Sequence, residues 1–100
     1  MTPEGKVKQA VKKLLEISHV YFFMPSANGY GRAGIPDFIA CCNGHFLAIE
    51  TKAGKGTTTA LQDREIARIN DAGGTALVIN ERNLHDLEKE IAKYSPGNNG

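Results

Sequence analysis

Gly34-Ile35-Pro36-Asp37-Phe38-Ile39-Ala40-Cys41-Cys42-Asn43-Gly44-His45-Phe46-Leu47-Ala48-Ile49-Glu50-Thr51-Lys52 decides the fold. Two apolar runs flank Asn43-Gly44, the pair that most strongly signals a two-residue type I′ turn. The turn sets a register. With Cys42 opposite His45, the ladder continues through Cys41–Phe46 and Ile39–Ala48 to Asp37–Glu50. Two acids then face each other with Cβ atoms about 5 Å apart. Lys52 lies two residues beyond Glu50, so the pleat puts it on the same face. Like charges set opposite each other destabilise a sheet, so this pair calls for a cation.

Thr2-Pro3-Glu4 opens a helix with a cap, a first-turn proline and a first-turn acid. Val7, Ala10, Val11, Leu14 and Leu15 form its apolar stripe, and Glu4 stands at the head of that stripe. Glu4 has two readings: complement to the helix dipole, or a carboxylate aimed at a site near the helix start. Val20 to Met24 reads as a strand ended by Pro25. A glycine-rich loop, Ser26 to Gly34, leads into the hairpin, whose strands span roughly Ile35–Cys42 and His45–Lys52. Asn28, Tyr30 and Arg32 in that loop suit a phosphate backbone, as an ordinary connector also would carry them. Lys55, in the polar loop after the hairpin, is a further candidate for an anion contact.

Thr59 to Gln62 matches a capping box, and its helix runs to a Gly73-Gly74 stop. Gln62 shares a face with Ile66 and Ile69, at the end nearest Lys52. Thr75 to Ile79 is a continuous apolar run that suits a strand buried on both faces. Asn83 caps a last helix striped by Leu84, Leu87, Ile91 and Tyr94. The expected architecture is α/β, in the order α-β-β-β-α-β-α, within one domain over residues 1–94 and a frayed tail over 95–100.

One hundred residues make a small core of limited stability, which dimerisation would supplement. Tyr21, Phe22, Phe23 and the last helix are candidates for such a surface, although core burial explains them equally. Cys41 and Cys42 are read as small buried strand residues, and His45 as a surface residue beside the turn. No apolar run spans a bilayer and no signal-peptide pattern opens the chain, which directs the expectation to the cytoplasm and away from membranes. A net charge of +1 says nothing about nucleic acid, but residues 1–60 hold seven Lys/Arg against four Asp/Glu. That excess fits either an anionic partner or a solvated face.

Paired carboxylates beside a lysine suit a hard divalent cation, which prefers oxygen ligands and keeps several waters. Asp37, Glu50 and Glu4 supply carboxylates, and the carbonyl of Ile49 or Thr51 supplies a backbone oxygen. Lys52 would orient the attacking water and offset phosphate charge. Metal-assisted phosphodiester hydrolysis is the chemistry that fits.

Pro36-Asp37 followed by Glu50-Thr51-Lys52 also reproduces the PD-(D/E)XK nuclease motif. With Asn28-Gly29, Gly31-Arg32, Gly34-Ile35-Pro36-Asp37-Phe38-Ile39, Leu47 to Lys52 and Gln62, the chain resembles the virus-type replication-repair nuclease (VRR-NUC) domain. The resemblance runs from Glu4 to about Leu84. It implies a restriction-endonuclease-like mixed sheet flanked by helices, and Mg²⁺ or Mn²⁺ as cofactor. It implies Asp37 and Glu50 as metal ligands, with Glu4 beside them, Lys52 as the catalytic lysine and Gln62 as an accompanying site residue. The substrate it implies is DNA.

Three functions fit these residues. The first is a homodimeric endonuclease for branched DNA such as four-way junctions, bacterial or phage-encoded and acting in the bacterial cytoplasm. The second is a flap, nick or nonspecific DNA nuclease using the same site. The third is a non-catalytic DNA-binding module of the same fold.

Overall fold

The computed structural model describes residues 1–26 and 32–95. The elements run α1 (Pro3–Ile17), β1 (Tyr21–Phe23), β2 (Phe38–Cys42), β3 (His45–Thr51), α2 (Ala60–Asp71), β4 (Thr75–Ile79) and α3 (Leu84–Tyr94). This is the expected order. The strands form one sheet ordered β1-β2-β3-β4, in which β1–β2 and β2–β3 are antiparallel and β3–β4 is parallel. Helices flank this mixed sheet. No helix of the described residues is long and apolar enough to cross a membrane.

The hairpin register follows from its turn. Asn43 and Gly44 take φ values of 50° and 89°, as a type I′ turn requires. Cys42 pairs with His45, Cys41 with Phe46 and Ile39 with Ala48. Directly paired residues share a face, so the two sides of the sheet can be assigned. Phe38, Ala40, Cys42, Leu47, Ile49 and Ile79 face Val7, Val11 and Leu15 of α1 and Leu87 and Ile91 of α3, forming the buried apolar cluster. Ala48 and Glu50 turn the other way, toward α2.

Local capping also follows the sequence. Thr2 Oγ1 accepts from the Gly5 N–H, and Thr59 and Gln62 exchange both bonds of the capping box. Loop and helix meet closely at Gly34, where φ is +88° and an added Cβ would stand 2.5 Å from the Leu61 carbonyl oxygen. Only glycine suits that position.

Four expectations change. The chain leaves β4 at the sheet edge, so Thr75, Leu77 and Val78 are only half-buried. Asn83 makes no side-chain cap, because its Oδ1 accepts from the Asn80 N–H and its Nδ2 donates to the Val78 carbonyl. Cys41 is exposed while Cys42 is buried, since α2 does not extend over the outer strands. His45 is half-buried, stacked on Tyr94 with ring centroids 3.9 Å apart and its Nε2 2.8 Å from Thr75 Oγ1.

Candidate active site

The ladder of β2 and β3 ends at Phe38–Ile49, one step short of the expected Asp37–Glu50 pair. Asp37 lies in the bend before β2, so its carboxylate meets the next residue along. Its Oδ2 accepts from the Thr51 N–H at 2.9 Å and from Thr51 Oγ1 at 2.6 Å. Amide and carbonyl of a strand residue point to the same side. The Thr51 carbonyl is therefore directed toward the strand edge that carries Asp37.

Glu50 is buried on β3, with a relative exposure of 4%. Its Oε2 accepts from Gln62 Nε2 at 3.1 Å and lies 3.6 Å from Lys52 Nζ. Its Oε1 is buried without a hydrogen-bond partner. Burial raises the carboxyl pKa from 4.5 to about 7, with Asp37 and Glu4 adding to the rise and Lys52 opposing it. The acid pair thus interacts across the gap even though it forms no ladder pair.

Gln62 serves two ends at once. Its Oε1 accepts from the Thr59 N–H at 3.0 Å while its Nε2 holds Glu50. The first contact is the local role legible from the capping box; the second needs the sheet. Gln62→Ala removes both and is expected to lower stability by about 1–2 kcal/mol in urea denaturation. An unchanged midpoint would show that neither contact contributes.

Glu4 stays half-exposed and is joined to the site through Lys8. Lys8 Nζ lies 3.5 Å from Glu4 Oε2 and 3.8 Å from Asp37 Oδ1. Lys8 was not foreseen, although its i+4 spacing from Glu4 is visible in the sequence. Lys55 is exposed on the loop after β3. Asn28 and Tyr30 lie outside the described residues. Arg32 does not project freely, for its Nε donates to both oxygens of Glu65 on α2, at 3.0 and 3.1 Å. Glu65 itself was missed. It falls inside the α2 stripe, three residues after Gln62 and four before Ile69, and that placement was the available signal.

Among the described residues no three His, Cys, Asp or Glu side chains gather into a ready-made metal cage. Mg²⁺ does not need one, since one or two carboxylates with water and substrate phosphate commonly hold it. The partnerless Oε1 of Glu50 is the direct sign of fit, because a buried carboxylate oxygen without a donor is costly unless a cation faces it. A separate cavity of about 420 Å³, lined by Pro3, Val7, Ala10 and Leu84 among others, contains none of these carboxylates.

The fold has a solved counterpart. A structure described as "VRR_NUC domain" superposes with a TM-score of 0.75 at 25% sequence identity, covering 90% of this chain and 97% of the other. The chain folds as a VRR-NUC domain. No protein-family model and no curated protein matches the sequence. The VRR-NUC assignment accounts for the nuclease-type fold and for the α-β-β-β-α-β order around the hairpin. In this fold Asp37, Glu50, Lys52 and Gln62 come together at one end of the central strands.

Proposed function

We propose that this chain is a metal-dependent DNA endonuclease that hydrolyses phosphodiester bonds in branched DNA, four-way junctions in particular, as a homodimer. The observation that carries the chemistry is the buried Glu50 carboxylate, with one oxygen held by Gln62 and the other unpartnered. Asp37, Glu50 and the Thr51 carbonyl would hold Mg²⁺ or Mn²⁺. When bound, such an ion supplies Lewis-acid polarisation of a phosphoryl oxygen and a more acidic water.

The protein groups have separate tasks. Thr51 fixes Asp37 through two hydrogen bonds to Oδ2, which leaves Oδ1 facing Lys8 Nζ at 3.8 Å. Gln62 fixes Glu50 and sets the direction of its carboxylate. Lys52 carries a positive charge beside Glu50, where it orients the attacking water and offsets charge that builds on the phosphate. Glu4 adds negative potential toward the same place through its effect on Glu50.

DNA as substrate is supported by the VRR-NUC likeness, and a twofold dimer supplies the paired sites that symmetric nicking of a junction needs. Purified protein with Mg²⁺ or Mn²⁺ is expected to cut synthetic four-way junctions with paired symmetric nicks, faster than linear duplex or flap DNA. Equal cutting of all three overturns the junction preference. No cutting of any DNA with either metal overturns the nuclease reading and favours a binding module.

A further inference from the structure

One face of the sheet is only partly covered. The α2 helix lies over β3 and β4 on the side of Glu50, and beyond it the outer strands present a row of side chains. Tyr21 pairs with Cys41, and Cys41 with Phe46, so all three share that face. Tyr21 is 72% exposed and Phe46 45%, and Cys41 is also exposed. Strand spacing puts the two rings about 10 Å apart. Phe23, in the next pair of β1, is 50% exposed on the same side, whereas Phe22 turns inward to pack on Phe38.

Beside this row stands a basic cluster with an unusual foundation. Glu65 is 2% exposed, and three exposed guanidiniums converge on its carboxylate. Arg32 lies at 3.0 Å, Arg68 at 3.5 Å and Arg64 at 4.0 Å. One buried negative charge thus anchors three positive ones, for a local excess of two. Arg32 reaches Glu65 from the loop, and Arg64 and Arg68 reach it along α2. A groove of about 380 Å³ joins the cluster to the aromatic row, with Arg32, Phe46, Glu65, Arg68, Ile69 and Gly74 in its wall.

We propose that this surface binds a single-stranded segment of DNA, with bases stacking on Tyr21 and Phe46 and phosphates held by Arg32, Arg64 and Arg68. Exposed aromatic rings next to a positive groove are the combination that takes up unpaired strands, because every base offers a ring face and every nucleotide a phosphate. Arginine forks match phosphate geometry, and Glu65 holds them in place beforehand. The cluster is also close to the proposed chemistry. Glu65 and Arg68 lie three and six residues after Gln62, about 4.5 and 9 Å along the helix axis. A strand crossing the groove would therefore pass from the arginines toward Glu50 within a few nucleotides. A second copy of the chain fits the face less well, since a twofold contact there would bring two net-positive clusters toward each other.

The inference rests on the nuclease reading for its biological sense, but its test does not require cleavage. Binding of a fluorescein-labelled oligothymidylate is measured by anisotropy in chelator-containing buffer, where nothing is cut. Tyr21→Ala and Phe46→Leu are each expected to weaken binding by about tenfold. Arg68→Gln is expected to reduce the slope of log affinity against log salt by about 0.7, one phosphate contact on a single strand. Arg82→Gln, an exposed control away from the groove, leaves both unchanged. Phe46→Leu retains apolar packing against Gly74 and Ile69, so its effect reads the ring rather than folding.

Unchanged affinity in the aromatic variants overturns the proposal. So does a shift from dimer to monomer in sedimentation with strand affinity intact, which assigns the face to a second copy. A chain that binds the strand through these residues but never cuts DNA upholds this proposal while removing the nuclease reading. A chain that cuts DNA with strand affinity indifferent to them does the reverse.

Discussion

Glu50→Gln is expected to make the metal-free chain more stable at alkaline pH while abolishing its cleavage of DNA. The Glu50 carboxyl is raised from 4.5 to about 7, first by burial and then by Asp37. A carboxyl whose folded pKa lies above its unfolded value contributes most to stability below the unfolded value, and that contribution is lost as pH rises through the folded one. The window is therefore about pH 4.5 to 7. A rise of this size corresponds to about 3 kcal/mol at 1.36 kcal/mol per unit. Glutamine carries no charge, so the variant should exceed the native chain by about 2–3 kcal/mol near pH 8 and by nothing near pH 4, read by urea denaturation at each pH. Mg²⁺ should raise the melting temperature of the native chain, increasingly as pH climbs through the same window, and leave the variant unmoved. Cleavage should fall by about a thousandfold or more. A variant no more stable than the native chain at alkaline pH would show that the buried carboxylate is already compensated.

Lys52→Met is the second change with a large expected effect. Methionine keeps most of the side-chain stem and removes the ammonium that stands 3.6 Å from Glu50 Oε2. Turnover on branched DNA should fall by about a hundred- to ten-thousandfold, with a smaller change in KM, because the charge acts on what develops in the transition state. The same substitution removes the influence that lowers the Glu50 pKa. Carboxyl titration of the metal-free variant by carbon NMR should accordingly give Glu50 a value above about 7. Full activity in the variant would remove Lys52 from the mechanism. An unmoved Glu50 titration with activity lost would separate its chemical part from its electrostatic one.

These two changes bear on one arrangement, the buried Glu50 carboxylate with Asp37, Glu4 and Lys52 around it. Burial, Asp37 and Glu4 raise the cost of ionising Glu50, and Lys52 opposes them. Buried like charges of this kind recur where a protein holds a metal or a reacting group. The expected stability gain of Glu50→Gln and its expected loss of cleavage share that cause.

Much of this was legible from residues a few positions apart. The type I′ turn at Asn43-Gly44 demands two positive φ values, and those alone set the β2–β3 register. The capping box and the Gly73-Gly74 stop depend on donors and acceptors close together in the chain, so Thr59 and Gln62 took their expected places. Period-2 alternation put Glu50 and Lys52 on one face.

Tertiary structure decided what depends on which surfaces are covered and which donors arrive from elsewhere. Asp37 was expected opposite Glu50, yet the bend before β2 gave its carboxylate to the amide and hydroxyl of Thr51. Arg32 was expected to reach outward, yet a buried acid 33 residues away captured it. Cys41 was expected inside, yet α2 covers only part of the sheet and leaves it exposed. The spacing of residues along the chain determined the order of elements, the turn and the membership of the acid–lysine set. Desolvation and long-range partners are properties of the packed molecule, and they alone raised Glu50, left its Oε1 unpartnered and gathered three arginines on Glu65.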